Sequence, residues 1–239
     1  MSTARTAMVL AAGLGTRMAP LTDALPKALV PLNGKPLIDH VLDRLALAGV
    51  ERAVVNVHHM AGQIEAHLAS RTSPAIGISD ERDLLLDTGG GVARALPMLG
   101  AGPFFIHNSD SVWSEGPRPC LEQLAGAWRP EIMDTLLLLA PKSATLGYDG
   151  RGDFGMSADG AVARPDGGEE AAFAFTGVSL ANSRLFEGAP EGKFSLNVLW
   201  DRAIAKGRAY GMRHEGVWMH VGTPGAVKQA EERMRREQG

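Results

Sequence analysis

Residues 6–18 read TAMVLAAGLGTRM: a short apolar run, two alanines, then glycines at Gly13 and Gly15 with Arg17 close behind. An apolar run of this length ending in small residues predicts a buried strand over about Thr6 to Ala12, and Gly13-Leu14-Gly15-Thr16 predicts a tight turn leaving it. A strand followed by a glycine turn is how an α/β unit opens, and the chain continues in kind. Pro36 to Ala48 carries Leu37, Ile38, Val41, Leu42, Leu45 and Ala48 at helical spacing, with Pro36 suited to the first turn and Gly49 to the stop. Arg52 to Val57 predicts a buried strand, Ala61 to Ala69 a helix, Ala75 to Ser79 a strand, Thr88 to Leu96 a helix, and Pro103 to Asn108 another buried strand. Such alternation implies an α/β protein with a parallel sheet covered by helices on both faces.

Beyond Asp110 the pattern loosens. Thr135 to Ala140 and Phe173 to Leu180 predict strands, and the Gly-, Asp- and Arg-rich segment Gly147 to Gly168 reads as a surface hairpin between them. Ser195 is placed to N-cap a helix bearing Leu196, Leu199, Trp200, Ala203 and Ile204 on one face and ending at Gly207. Arg208 to Arg213 returns as a strand, and Thr223 and Pro224 open a last, strongly charged helix.

The chain has 239 residues, 45% of them hydrophobic, enough for a substantial core without disulfides or metal staples. Lys plus Arg total 24 against 27 Asp plus Glu, a formal net charge of -3, so there is no global basic field to hold DNA or RNA. The single cysteine, Cys120, excludes an internal disulfide and reads as an inert, half-buried thiol. No apolar run is long enough to span a bilayer and the amino terminus lacks the ordered regions of a secretory signal, so a cytoplasmic protein without a membrane partner is expected. Nothing in the sequence specifies an oligomeric state.

The residues that could carry chemistry begin with the glycine turn. Backbone N–H groups in such a loop can approach phosphate oxygens, and an arginine beside it adds a bidentate positive fork. It is not a Walker A loop, which needs Gly-Lys-Ser/Thr, and it lacks the third glycine of a dinucleotide fingerprint. Pro26-Lys27-Ala28-Leu29-Val30-Pro31 follows, though Lys27 alone reads as a solvated surface lysine. Asp110 stands just past a predicted strand, at the carboxyl end of the sheet where ligands bind, and equally where an aspartate caps its own turn. Asp87 and Thr88 suit a helix N-cap, whereas Gly89, Gly90 and Gly91 at a helix start each cost roughly 1 kcal/mol relative to alanine, which capping does not explain.

Residues 10–32 resemble the opening signature of the sugar nucleotidyltransferases, close to L-A-A-G-x-G-x-R-M-x-P-L-T and then P-K-x-L-x-P. The resemblance continues through Asp87-Thr88-Gly89-Gly90-Gly91, Asn108-Ser109-Asp110, Phe175-Thr176-Gly177 and Trp218-Met219-His220-Val221-Gly222-Thr223-Pro224, with no tail expected for an acyltransferase or regulatory domain. It implies a Rossmann-like, mostly parallel sheet, the nucleotide-diphospho-sugar transferase fold, in a single catalytic domain over residues 1–239, with a nucleotide half at about 1–115 and a sugar-phosphate half at about 116–239. It also implies an enzyme that joins a nucleoside triphosphate to a sugar 1-phosphate and releases pyrophosphate.

By that resemblance Leu10, Ala11, Ala12, Gly13, Gly15, Thr16, Arg17, Asp87, Thr88, Gly89 and Gly90 surround the nucleotide. Arg17 contacts the β- and γ-phosphates, Lys27 lies near the α-phosphate and the incoming sugar phosphate, and Asp110 holds Mg2+. Asn108, Gly177 and Asn197, with Lys27, face the sugar phosphate. The departure is His220, where the family has an aspartate that is the second Mg2+ ligand. Histidine suits Mn2+ and other transition metals better, so three expectations arise: Mg2+ held by Asp110, phosphates and water; a softer metal bound at His220; or an impaired enzyme. The first is preferred.

Within the family, the Thr-Gly-Gly-Gly segment and the Asn-x-Asp-x-x-Trp around Asp110 look most like the N-acetylmuramate 1-phosphate uridylyltransferases of bacterial cell-wall peptidoglycan recycling, with UTP as donor. Mannose 1-phosphate guanylyltransferase-like enzymes are the alternative, and cytidylyltransferases of alcohol phosphates share the opening signature. A reading of another class is a catalytically weak nucleotide-sugar sensor, supported by His220. His58 and His59 read as loop polarity, His107 as a hydrogen-bonded core residue, and Trp113 and Trp218 as packing.

Overall fold

The computed structural model describes residues 4–167 and 169–238. In chain order the elements are β1 (Thr6–Leu10), β2 (Pro31–Leu32), β3 (Lys35–Pro36), α1 (Leu37–Leu47), β4 (Arg52–Val57), α2 (Ala61–Leu68), β5 (Ala75–Asp80), α3 (Asp87–Leu99), β6 (Phe104–Asn108) and β7 (Ser111–Ser114). There follow α4 (Cys120–Ala127), β8 (Thr135–Pro141), β9 (Thr145–Leu146), β10 (Gly155–Met156), β11 (Val162–Ala163), β12 (Phe173–Ala181), α5 (Leu196–Ala205), β13 (Ala209–Arg213), β14 (Val217–His220) and α6 (Pro224–Gln238).

Seven strands form the main sheet in the order β13-β8-β12-β6-β1-β4-β5. β1 pairs in parallel with β4 on one side and β6 on the other, because successive crossover helices return the chain to the same edge before the direction of build reverses. β4 with β5 and β13 with β8 are also parallel. The sheet is thus mostly parallel, as expected, with one exception: β12 runs antiparallel to both β6 and β8. Most of β12 is buried on both faces, so its sequence carries no alternation from which direction could be read.

Alternate residues of β1 feed two cores. Ala7 and Val9 join Val41, Leu42 and Leu45 of α1, Ile64 of α2 and Leu124 of α4, whereas Met8 joins Val92 and Leu99 of α3 and Leu199 and Trp200 of α5. Helices therefore cover both faces, as the sequence predicts. α1 begins one residue past Pro36, which occupies the cap position. α3 runs to Leu99, beyond the predicted end, and contains Pro97. Ser195 caps α5 as expected, its Oγ accepting from the Asn197 amide at 3.3 Å.

Sequence reading missed α4 and a second, three-stranded sheet in the order β7-β14-β9. Its strands have two to four residues, too short for a periodicity to emerge. This sheet matters because β6 leaves the main sheet, turns at Ser109-Asp110, and enters the second sheet as β7. Met18, Val112, Met219 and Val227 pack beneath it in a third apolar cluster that includes residues of α6. Among the described residues no helix is long and apolar enough to cross a membrane.

Candidate active site

The register of β1 on β6 places Leu10 opposite Asn108, and the Ser109 amide donates to the Leu10 carbonyl at 3.1 Å. The loops that leave these two strands therefore start side by side, at the point where strand order reverses. Residues 11–17 form one wall of a cavity of about 510 Å3, which Lys27, Asn108 and Asp110 also line. Asp87 and Thr88 at the start of α3 face the same cavity.

The glycine loop is anchored from behind. The Ala11 amide donates to Asn56 Oδ1 at 2.7 Å, Asn56 Nδ2 donates to Glu81 Oε1 at 2.7 Å, and Glu81 Oε2 accepts from the Leu86 amide at 3.1 Å. Asn56 and Glu81 are both buried, so each lost partner would leave a desolvated polar atom unmatched. Gly15 has φ +68°, and a Cβ there would lie 3.0 Å from the Lys27 side chain and 3.1 Å from Thr22. Gly13 differs: a Cβ there meets nothing within 4 Å, so no neighbour in the protein requires its small size. Arg17 is exposed at the mouth and makes no ion pair among the described residues.

Lys27 Nζ and Asp110 Oδ2 form an ion pair, both side chains mostly buried. The pair fixes the ammonium group and the carboxylate at the same spot on the cavity wall. Ser109 is not among the residues with positive φ, so the turn does not depend on glycine there. The corner is stapled by Ser111, whose Oγ donates to the Thr176 carbonyl and accepts from Trp218 Nε1 at 3.2 Å.

A second cavity of about 290 Å3 adjoins the first and shares Arg17, Asn108 and Asp110 with it. Gly177, Asn197 and His220, all anticipated from sequence, line this one. Gly177 sits where the β12–β8 register shifts, with φ +84°, and a Cβ would crowd Asn108 Nδ2 at 2.9 Å. Burial lowers the pKa of His220; the charge of Asp110 opposes this, and Lys27 and Arg17 reinforce it, so the imidazole is neutral near pH 7. No group of three or more His, Cys, Asp or Glu that could hold a metal ion occurs among the described residues.

Two residues expected beside the nucleotide are not among those lining either cavity. Gly89 and Gly90 lie behind the cavity wall, and their amides both donate to the Phe194 carbonyl at 2.9 and 3.0 Å, which leaves neither free for a phosphate. A Cβ on Gly89 would run into the Phe194 ring, one on Gly90 into the Gly192 carbonyl, and one on Gly91 would lie 2.7 Å from Glu81 Oε1. The three glycines let α3 pack against the 192–194 segment and the buried carboxylate. Neither Asp87 nor Thr88 caps α3, whose cap position is held by Leu86 without a side-chain bond; Asp87 Oδ1 accepts from the neighbouring Thr88 amide at 2.6 Å, and Thr88 Oγ1 accepts from the Leu196 amide at the start of α5 at 3.0 Å.

Sequence reading also missed residues that face the cavities. Asn56, Glu81 and Leu85 line the larger one. The one available signal was a polar Asn56 in an otherwise apolar strand near its carboxyl end. The segment 147–167 is a hairpin of β10 and β11 as expected, yet it also contributes Tyr148, Asp153, Phe154 and Arg164 to the smaller cavity; Gly168 lies outside the described residues. Trp218 both packs on Tyr148, centroids 5.5 Å apart, and lines that cavity, whereas Trp113 is core. His107 is buried and stacks on Trp113 at 5.5 Å, and burial pushes its pKa down to about 4. Cys120 is buried rather than half-buried, and burial pushes its thiol far above the ordinary range.

Residues 7–138 match the MobA-like NTP transferase domain. The chain is 51% identical over 232 residues to an N-acetylmuramate alpha-1-phosphate uridylyltransferase of Caulobacter vibrioides, covering 95% of this chain and 96% of that protein. It is 35% identical to the protein of the same name in Neisseria meningitidis, over 94% and 96% of the two chains. The fold matches that of an inositol-1-phosphate CTP transferase from T. maritima with TM-score 0.76 at 17% identity, over 98% and 97% of the two chains.

The glycine packing makes a two-sided prediction. Gly89→Ala lowers the unfolding free energy by about 1–3 kcal/mol in urea titrations, because Phe194 must move. Gly62→Ala, in an open and exposed position of α2, raises it by about 0.5–1 kcal/mol.

Proposed function

The chain belongs to the MobA-like NTP transferase family, and from that premise we propose that it transfers the uridylyl group of UTP to N-acetylmuramate 1-phosphate, releasing pyrophosphate. The observation that carries this reading is the junction of two cavities at Arg17, Asn108 and Asp110. One cavity adjoins an anchored glycine loop and suits a nucleotide; the other suits a sugar; the shared wall is where their phosphates meet. The 51% identity over nearly the whole of both chains supports this sugar and this base over mannose 1-phosphate and GTP, and supports an enzyme over a sensor. Residues of the first half line both cavities, which favours one catalytic domain, with nucleotide contacts in about 1–115 and most acceptor contacts in 116–239.

The reaction is an in-line displacement, in which a phosphate oxygen of the sugar phosphate bonds to the α-phosphorus as the bond to pyrophosphate breaks. That oxygen is already anionic, so we assign no general base and no covalent intermediate. What the protein must supply is alignment and positive charge between two anions. In this reading the amides of Gly13 to Thr16 and the Arg17 guanidinium hold the triphosphate, with Leu10, Ala11, Ala12, Asp87 and Thr88 flanking the nucleotide. Lys27, held by Asp110, offsets charge at the α-phosphate, and Asn108, Gly177 and Asn197 orient the acceptor.

A divalent cation fits the donor set, since only Oδ2 of Asp110 is engaged by Lys27 and Mg2+ commonly relies on one or two carboxylates plus phosphates and water. When bound, it would neutralise charge on the nucleotide phosphates. His220 lines the same cavity as Asp110, but its nitrogen donor suits Mn2+ better than Mg2+, so we assign Asp110 as the protein ligand.

Two measurements follow from this assignment. With Mg2+, the purified chain releases pyrophosphate from UTP and N-acetylmuramate 1-phosphate; release from GTP and mannose 1-phosphate instead would sink the proposal. Asp110→Asn lowers kcat by about 100-fold or more, while His220→Ala leaves the Mg2+ to Mn2+ activity ratio unchanged; a shifted ratio would make His220 a ligand.

A further inference from the structure

Arg164 follows β11 and lines only the smaller cavity, where Arg17 on the shared wall is the other cation. Its guanidinium lies over the Phe154 ring, 4.3 Å from the centroid. Nε donates to Asp201 Oδ1 at 2.8 Å and Nη2 donates to Asn197 Oδ1 at 2.6 Å. A guanidinium has five N–H donors, so these two bonds leave three to offer. The stack and the two bonds hold the planar fork in place before any ligand arrives, which reduces the entropy lost on binding an anion. Asp201 is more than half exposed, so its charge is largely screened by solvent and only partly offsets that of Arg164.

An acceptor sugar with one phosphate would meet its cations at the shared wall, and Arg164 would have no counterpart on it. N-acetylmuramate carries a second anion, the carboxylate of its lactyl ether. We propose that Arg164 is the specificity-determining residue that receives a carboxylate on the acceptor sugar, and so selects an acidic sugar 1-phosphate over its uncharged analogue. The inference rests on the acceptor assignment above and adds to it the group that reads the acid. A planar carboxylate matches an arginine fork in two parallel hydrogen bonds, which a lysine cannot reproduce.

The test compares kcat/KM for N-acetylmuramate 1-phosphate and N-acetylglucosamine 1-phosphate, the same sugar without the lactyl group, at saturating UTP. Wild type favours the acidic acceptor. Arg164→Gln lowers the value for the acid by about 10- to 100-fold and moves that for the uncharged sugar by less than about threefold. Arg164→Lys gives an intermediate preference. Because each ratio is taken within one protein preparation, partial unfolding of the hairpin cancels from it. An unchanged ratio in Arg164→Gln, or equal loss on both acceptors, overturns the inference while wild-type turnover of the acid still upholds the proposed function. A wild type that turns over only the uncharged sugar overturns both.

Discussion

The parallel pairing of β1 with β6, in the register that sets Leu10 opposite Asn108, determines where the glycine loop with Arg17 stands relative to Asp110. Because side chains alternate faces with a period of two, slipping this pairing by one residue would turn Met8 and Val9 to the wrong cores. The same slip would separate the glycine loop from Asp110. Burial on both faces thus enforces the register, and the register places Arg17, Lys27 and Asp110 around one point. The energy that aligns the site is the energy of the core.

A rigid back wall completes the arrangement. Ala11, Asn56, Glu81 and Leu86 are joined by a continuous buried hydrogen-bond chain that crosses from the glycine loop to the start of α3. Gly91 lets α3 approach that chain, and Gly89 and Gly90 let it dock on the 192–194 segment that precedes α5. The larger cavity is therefore bounded by elements that cannot shift independently. This is what a direct transfer between two bound anions requires, since charge stabilisation is effective only when the charged groups need not reorganise.

Much of this was legible in the sequence, for identifiable reasons. Strand and helix alternation marked the α/β class because the buried runs are long and bounded by glycine. Gly13, Gly15, Arg17, Lys27 and Asp110 stand out in the sequence because each sits in a short local motif, and all five line the larger cavity. The direction of β12 was not legible, since a strand buried on both faces reads the same either way. The packing role of Gly89 and Gly90 was not legible, because a glycine demanded by helix packing looks like one demanded by a ligand. Arg164 and Tyr148 were hidden in a segment whose polar composition reads as surface; the bridges of Phe154 to Phe173 and Ala161 to Tyr210, with buried Phe154 and Val162, hold that hairpin against the sheet beside the smaller cavity.

The central claim is that two substrates lie side by side across Arg17, Asn108 and Asp110, and that the nucleotidyl group passes between them in one step. The stereochemical course at the α-phosphorus tests this most directly, using one diastereomer of UTP carrying sulfur at the α-phosphate and determining the configuration of the nucleotide-sugar product. A single in-line displacement inverts the configuration, and inversion is the result expected. Retention would mean two successive displacements through a covalent nucleotidyl-enzyme, and would contradict the account.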